Sequence, residues 1–414
     1  MQPDAAFWAT YQQLDIKTAL THPTRTNGAA VDPEKGKALQ VTEDDDHASA
    51  GDCQACGHLI FGNPLNILLV SVPFGVAAPR LGWGDEVIFA LNFIAILPLA
   101  GILGTATEEL AGSVGETLGG LLNATFGNAV EMILSVFALR EGLVDVVQGS
   151  LLGSILSNLL LVLGMCFALG GMKYHTQKYN GDGARTQASL LLLSVLALVM
   201  PSLAGLTVSK KGVNAAQETE LFISRGAAII LGVLYCLYLC FQLGTHRECF
   251  QAEDEGESEE TTMSAPCAVV ILIVVTLVVA MCSEGLVGSV EGMTEKLGVS
   301  RSFIGTVLLP IVGNAAEHAT AVTVAWKDKM DLSLGVALGS SAQIALLVVP
   351  FTVIVGWIID VPMDLNFHPV NTGILLITVL IVGMLTSDGE SNWLEGAMLL
   401  AAYLLVGVTF WFIE

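Results

Sequence analysis

The sequence is short of charge. Of its 414 residues only 14% are Asp, Glu, Lys or Arg, while 53% are apolar; a soluble chain carries about 25% charged residues. That balance excludes an ordinary water-solvated globule, and runs of about 20 apolar residues recur along the chain instead. Basic residues are the scarcest: 17 Lys and Arg stand against 39 Asp and Glu, a formal net charge of −22. With no basic patch, a nucleic-acid partner is excluded. The acidity is local, however. Nine acids precede residue 53 and six more fall within Glu253–Glu260, and such blocks read as solvated tails or linkers. No GxxxxGK[ST] loop is present, so no nucleotide is expected to drive this chain. No GxSxG or HExxH motif is present either, which argues against an enzyme.

Eight cysteines make no disulfide framework. Cys166, Cys236, Cys240, Cys267 and Cys282 fall in or at the ends of apolar runs, where Cys behaves as a small hydrophobe. Cys53-Gln-Ala-Cys56-Gly-His58 is a CxxC followed by His, but no second ligand pair lies near it, so it reads as incidental thiols. Residues 1–62 show no basic-then-apolar leader and are polar and acidic, which predicts a disordered cytosolic tail.

The apolar runs predict an all-α polytopic membrane protein with about eleven transmembrane helices, near 65–82, 86–107, 117–139, 145–170, 186–208, 222–245, 265–290, 302–325, 332–358, 369–386 and 392–413. With a cytosolic N-terminus, ten of the Lys and Arg fall on the cytosolic side and seven on the other, the expected sign of bias.

An internal repeat organises these runs. Gly127-Asn-Ala-Val-Glu131 recurs as Gly313-Asn-Ala-Ala-Glu317, and Gly153-Ser154 as Gly339-Ser340, both at an offset of 186. Glu108…Gly112-Ser-Val pairs with Glu284…Gly288-Ser-Val at an offset of 176. Two units of five spans follow, and an odd number of spans inverts the second unit relative to the first. The expected parts are a tail over 1–63, an extra first helix over 64–84, one five-helix repeat over 85–246, an acidic cytosolic loop over 247–264 and a second repeat over 265–414.

Glu131 and Glu317 fall near the middle of their spans, where an isolated charge costs at least about 3 kcal/mol. Asn128 and Asn314 lie three residues before them and share their helix face. Ser154, Ser157, Ser340 and Gln343 add neutral oxygens from the following spans, and Gly127, Gly313 and Pro310 are expected to loosen the backbone. Carboxylate, amide, hydroxyl and carbonyl oxygens without thiolate suit a hard cation such as Ca²⁺. Two close glutamates in a low-dielectric site cannot both stay ionised, so they would take up protons when the cation leaves. Cation and protons then compete, which is the chemistry of antiport.

The stretches LLNATFGNAVEMILSVFAL, GSLLGSILSNLLLVLG, SEGLVGSVE, IVGNAAEHATAVTVA and GVALGSSAQIALLVVPF resemble the signature regions of the calcium/proton exchanger (CAX) family, part of the cation/Ca²⁺ exchanger superfamily. The resemblance covers residues from about 60 to 414. It implies a multi-pass transporter of a vacuolar or other acidic-organelle membrane that moves cytosolic Ca²⁺ inward in exchange for H⁺. Ca²⁺ and H⁺ are then transported ions, and no cofactor is implied. It further implies that Glu131 and Glu317 carry metal and protons, with Asn128, Asn314, Ser154, Ser340 and Gln343 flanking them. Glu108 and Glu284 match acidic positions suited to cation access or gating, and His318 matches the histidine after the second glutamate. A proton relay suits an imidazole, which titrates near neutrality; packing or a hydrogen bond to the glutamate suits it equally. The copies depart from symmetry where Met132 faces His318 and Asn158 faces Ile344.

A Na⁺/Ca²⁺ exchanger, or one for Mn²⁺ or Cd²⁺, would share the fold, and a Ca²⁺ channel is a more distant alternative. Glu253, Asp254, Glu255, Glu257, Glu259 and Glu260 form either an inert hydrophilic loop or a weak attractor for Ca²⁺ at a cytosolic mouth. The lipid bilayer is the one further partner expected; the oligomeric state, a homo-oligomer included, is left open.

Overall fold

The computed structural model describes residues 43–208, 213–247, 250 and 261–412. The acidic run Glu253–Glu260 and the tail before residue 43 lie outside the described residues. Two units divide the chain at Asp46 and His47, and apart from the first four residues of the first helix everything below belongs to the second, His47–Glu414.

The unit is a helical bundle in which every predicted apolar run folds as helix. Helix α1 spans Glu43–Phe61 and meets α2, Pro64–Ala77, at an 86° elbow. Helix α3 spans Asp85–Val114. Two shorter helices, α4 (Glu116–Phe126) and α5 (Ala129–Arg140), follow it with a 42° bend between them. Then come α6 (Val144–Lys173), α7 (Gly181–Val208) and α8 (Val213–Cys240, prolonged by the wide turn Phe241–Thr245). The second half holds α9 (Ala265–Gly288), the short amphipathic α10 (Val290–Leu297), α11 (Arg301–Trp326), α12 (Met330–Ile358), α13 (Pro369–Leu385) and α14 (Trp393–Phe412).

Among the described residues, eight helices are long and apolar enough to cross a membrane, and two bent pairs raise that number to ten. The expectation of about eleven spans also counted Pro369–Leu385, which has 17 residues. Two details differ from expectation. The run near 65–82 is helical only from Pro64 to Ala77, and the run 117–139 is two helices rather than one. A third concerns the acidic tail. Its end, residues 43–61, forms α1, because Ala55 and Leu59 find apolar partners in the core.

Outward faces are apolar, as hydrocarbon requires: Ile230, Val233 and Leu237 on α8, Val270, Ile273 and Leu277 on α9, and Leu404, Leu405 and Val408 on α14 are all exposed. Trp326, Trp357, Trp393 and Trp411 stand exposed at helix ends, where amphipathic rings prefer the headgroup level. Helix–helix contacts are reciprocal between the halves. Helices α3 and α9 pack together; α3 packs on α11 while α9 packs on α5, and α14 packs on α6 while α8 packs on α12. A two-stranded clasp, β1 (Gln177–Lys178) with β2 (Glu390–Ser391), ties the loops before α7 and α14.

Candidate functional site

The Gly-Asn-x-x-Glu motifs meet where α5 and α11 come together. In the first copy the helix breaks at the motif: Phe126 ends α4, and Asn128 holds φ −106°, ψ 21° before α5 begins. Gly127 keeps helical angles but has low helix propensity, and the departure itself falls on Asn128. In the second copy Gly313 and Asn314 lie inside an unbroken turn of α11, and the irregularity sits upstream as a wide i→i+5 turn at Ile304–Leu308. Pro310 cannot donate to the Thr306 carbonyl, which forces that widening. The expected loosening at Gly313 itself is therefore displaced toward Pro310, whereas that at Gly127 is found in place.

The carboxylates cross over between the copies. A Cβ built on Gly313 would stand 2.5 Å from Glu131 Oε1, and one built on Gly127 would stand 3.8 Å from Glu317 Oε1. Each glutamate thus points at the glycine of the other copy, and the two lie within electrostatic reach of each other. Glu131 is buried at 3% exposure; neither of its oxygens makes a hydrogen bond of good geometry, although the Asn314 amide lies close beside the carboxylate. A buried polar atom left so costs about 1–3 kcal/mol, more when it is charged, so the position calls for a proton or a cation. Glu317 is half-buried, and its Oε2 accepts from the Ser340 hydroxyl at 3.1 Å.

The amides tie the copies together. Asn128 Nδ2 donates to Gln343 Oε1 at 2.8 Å. Asn314 Nδ2 donates to Ser154 Oγ at 3.3 Å and to the Pro310 carbonyl at 3.1 Å. All seven residues expected to form the metal site fall in this one constellation. Ser157 lies alongside and donates to the Ser154 carbonyl at 3.1 Å. Wide turns run through the same region at Ser157–Val162, Gly335–Gly339 and Ile344–Val348, a helix distortion frequent at functional sites.

The outer acids separate. Glu108 is exposed near the end of α3 and within electrostatic reach of Glu317. Glu284 lines a different cavity of about 500 Å³ beside Arg80, Trp83 and Asp85. His318 is buried, and its Nε2 lies 3.3 Å from Asn158 Oδ1. Asn158, noted in the sequence only as a departure from symmetry, is therefore a neighbour of the site; its place four residues after Ser154 is a signal for that. Also missed was Glu109, whose carboxylate accepts from Thr262 N–H at 2.8 Å, Thr262 Oγ1 at 2.6 Å and Met263 N–H at 3.2 Å. Among the described residues no group of three or more His, Cys, Asp or Glu converges as a metal cluster. Any divalent ion held here would rest on two carboxylates and neutral oxygens, a donor set that suits a hard ion in passage.

Comparison with known proteins places the chain in context. Residues 86–244 and 267–412 match the family described as sodium/calcium exchanger protein. The chain is 48% identical over 363 residues to a Ca²⁺/H⁺ antiporter of Synechocystis sp., covering 84% of this chain and 96% of that one. It is 44% identical over 357 residues to a vacuolar calcium ion transporter of Schizosaccharomyces pombe, covering 86% of each. The solved structure of native YfkE superposes with a TM-score of 0.72 at 38% identity, covering 84% of this chain and 100% of that one.

Proposed function

This chain belongs to the sodium/calcium exchanger protein family, and on that footing we propose how its crossed glutamates work. The protein exchanges Ca²⁺ for H⁺ across a membrane that it spans many times. In our reading it loads a vacuole or comparable acidic compartment from the cytosol, where its N-terminus lies. Two inverted five-helix units, 85–246 and 265–414, rock about the shared site between them.

Ca²⁺ sits between Glu131 and Glu317. Asn128, Asn314, Ser154, Ser340 and Gln343 complete an oxygen shell around it. When Ca²⁺ leaves, the two carboxylates cannot both remain ionised so close together in a low-dielectric core, and they take up protons. Cation and protons exclude one another, so each can cross only on the return of the other. Lowering the pH protonates the carboxylates and removes the charge that holds Ca²⁺, so affinity falls as pH falls. Glu108 serves access or gating on the Glu317 side, and Glu284 does so at the cavity by Arg80. His318 packs against Asn158 and orients it; an imidazole relay to Glu317 is the weaker reading, because the observed partner is the amide.

The observation that carries this reading is the buried Glu131 carboxylate, which makes no hydrogen bond of good geometry and faces the glycine of the opposite motif. The test is Ca²⁺ uptake into proteoliposomes with an acid-inside gradient and a lumenal pH dye. Coupled exchange appears as Ca²⁺ entering while the lumen alkalinises, with both signals lost in Glu317→Gln. Uptake that needs an opposing Na⁺ gradient would overturn the choice of protons, and uptake indifferent to both gradients would overturn exchange.

A further inference from the structure

The CxxC motif has no part in the exchange chemistry, yet α1 carries it to a defined partner. Two contacts one helical turn apart join α1 to the start of α9. Asp52 Oδ1 accepts from the Ser264 N–H at 2.7 Å, and Asp52 Oδ2 accepts from the Ser264 hydroxyl at 2.6 Å. The Ser264 oxygen in turn accepts from the Cys267 N–H at 3.4 Å, capping α9. Four residues on from Asp52 and three on from Ser264, the sulfurs of Cys56 and Cys267 stand 3.6 Å apart. The carboxylate clamp sets the register that brings the thiols together. Both thiols are partly exposed, and Cys53 one turn earlier is exposed.

We propose that Cys56 and Cys267 form a reversible disulfide that fastens α1 to α9. A disulfide bond is about 2.05 Å long, so the sulfurs must close by about 1.5 Å from 3.6 Å, which a small pivot of α1 at its elbow supplies. The oxidant is a small-molecule disulfide of the glutathione type. The Cys56 thiolate attacks one of its sulfurs, breaking that bond and releasing one thiol. The Cys267 thiolate then attacks Cys56 Sγ, forming the protein disulfide and expelling the second thiol. The protein gives up two electrons and two protons, and the small disulfide takes up both. On a cytosolic face, where thiols are normally kept reduced, such a bond forms transiently under oxidising stress.

The consequence for transport rests on the exchange reading above. Helix α9 packs on both α3 and α5, the latter bearing Glu131, so a covalent tie to α9 restrains an element that must move in the transport cycle. The oxidised protein exchanges ions more slowly than the reduced one.

The experiment uses the full-length protein in membrane vesicles, treated with oxidised glutathione or dithiothreitol, alkylated, digested and read by peptide mass spectrometry. A Cys56–Cys267 linked peptide is expected under oxidation, lost on reduction and absent from both Cys56→Ser and Cys267→Ser. Ca²⁺ uptake measured in parallel should fall on oxidation in the native protein and be unchanged in Cys267→Ser. A Cys53–Cys56 link alone, or glutathione on Cys56 without any link, overturns the proposal. A link that forms without slowing uptake leaves the disulfide standing and overturns its control of transport. Absence of uptake from the fully reduced protein would count against the exchange reading instead, while the link is scored independently.

Discussion

The two copies of the Gly-Asn-x-x-Glu motif carry the same residues on two different backbones. Around Gly127 the helix is broken, and Glu131 is buried with no well-formed hydrogen bond to its oxygens. Around Gly313 the helix runs on, the distortion is moved back to Ile304–Leu308, and Glu317 is half-exposed with Ser340 donating to it. A cation site built from inverted copies must be asymmetric whenever it is open to one side only, because the copies trade roles when it opens to the other. Glu317, within electrostatic reach of the exposed Glu108, is the more accessible glutamate; Glu131 is the more buried one.

If both glutamates hold one cation, that asymmetry should vanish in the phenotype. Glu131→Gln and Glu317→Gln should each lower coupled Ca²⁺ uptake by roughly 100-fold, about 2.7 kcal/mol, measured in proteoliposomes. A variant that keeps near-native uptake would break the shared-site reading for that copy. The glycines should separate the copies more finely. Gly313→Ala puts a methyl against the Glu131 carboxylate and should weaken Ca²⁺ affinity roughly tenfold, about 1.4 kcal/mol, by isothermal titration in detergent with the fold unchanged by circular dichroism. Unaltered affinity would mean the carboxylate has room to move aside.

Smaller effects sharpen the picture. Ser340→Ala removes the hydroxyl that donates to Glu317 and should raise the Ca²⁺ concentration for half-maximal uptake about threefold, in keeping with the modest net worth of one hydrogen bond. Ser154→Ala, whose partner is Asn314 rather than a carboxylate, should do less. His318→Gln should change uptake least, less than about twofold, with the pH profile unmoved; a shift of the profile near neutrality would restore the relay.

Much of this was legible in the sequence because membrane and repeat both write in long letters. Apolar runs located the long helices of the two halves, though not the break between α4 and α5 or the amphipathic α10, and the shared offset of 186 between motif pairs brought Glu131, Asn128 and Ser154 to Glu317, Asn314 and Ser340. What escaped was set by tertiary partners. The acidic composition of residues 43–61 gave no hint that Asp52 would be held by Ser264, 212 positions away, so the segment read as irregular. The wide turn at Ile304–Leu308 escaped because proline alone does not say whether a helix will kink, break or widen. Glu109 stood beside Glu108 and was passed over. Only the fold shows that one lies within electrostatic reach of Glu317 and the other grips residues 262–263.

The close crossing of α6 and α11 carries a consequence of a different kind. Gly153 lies against the Thr306 carbonyl and the Pro310 ring, so any side chain there meets backbone. Gly313, by contrast, is hemmed in by the tip of Glu131, a side chain. In a genetic selection for growth on toxic Ca²⁺, loss-of-function alleles at Gly313 should therefore yield second-site revertants that shorten position 131, Glu131→Asp first among them. Alleles at Gly153 should revert only to glycine, because no exchange of one side chain for another can move a carbonyl out of the way.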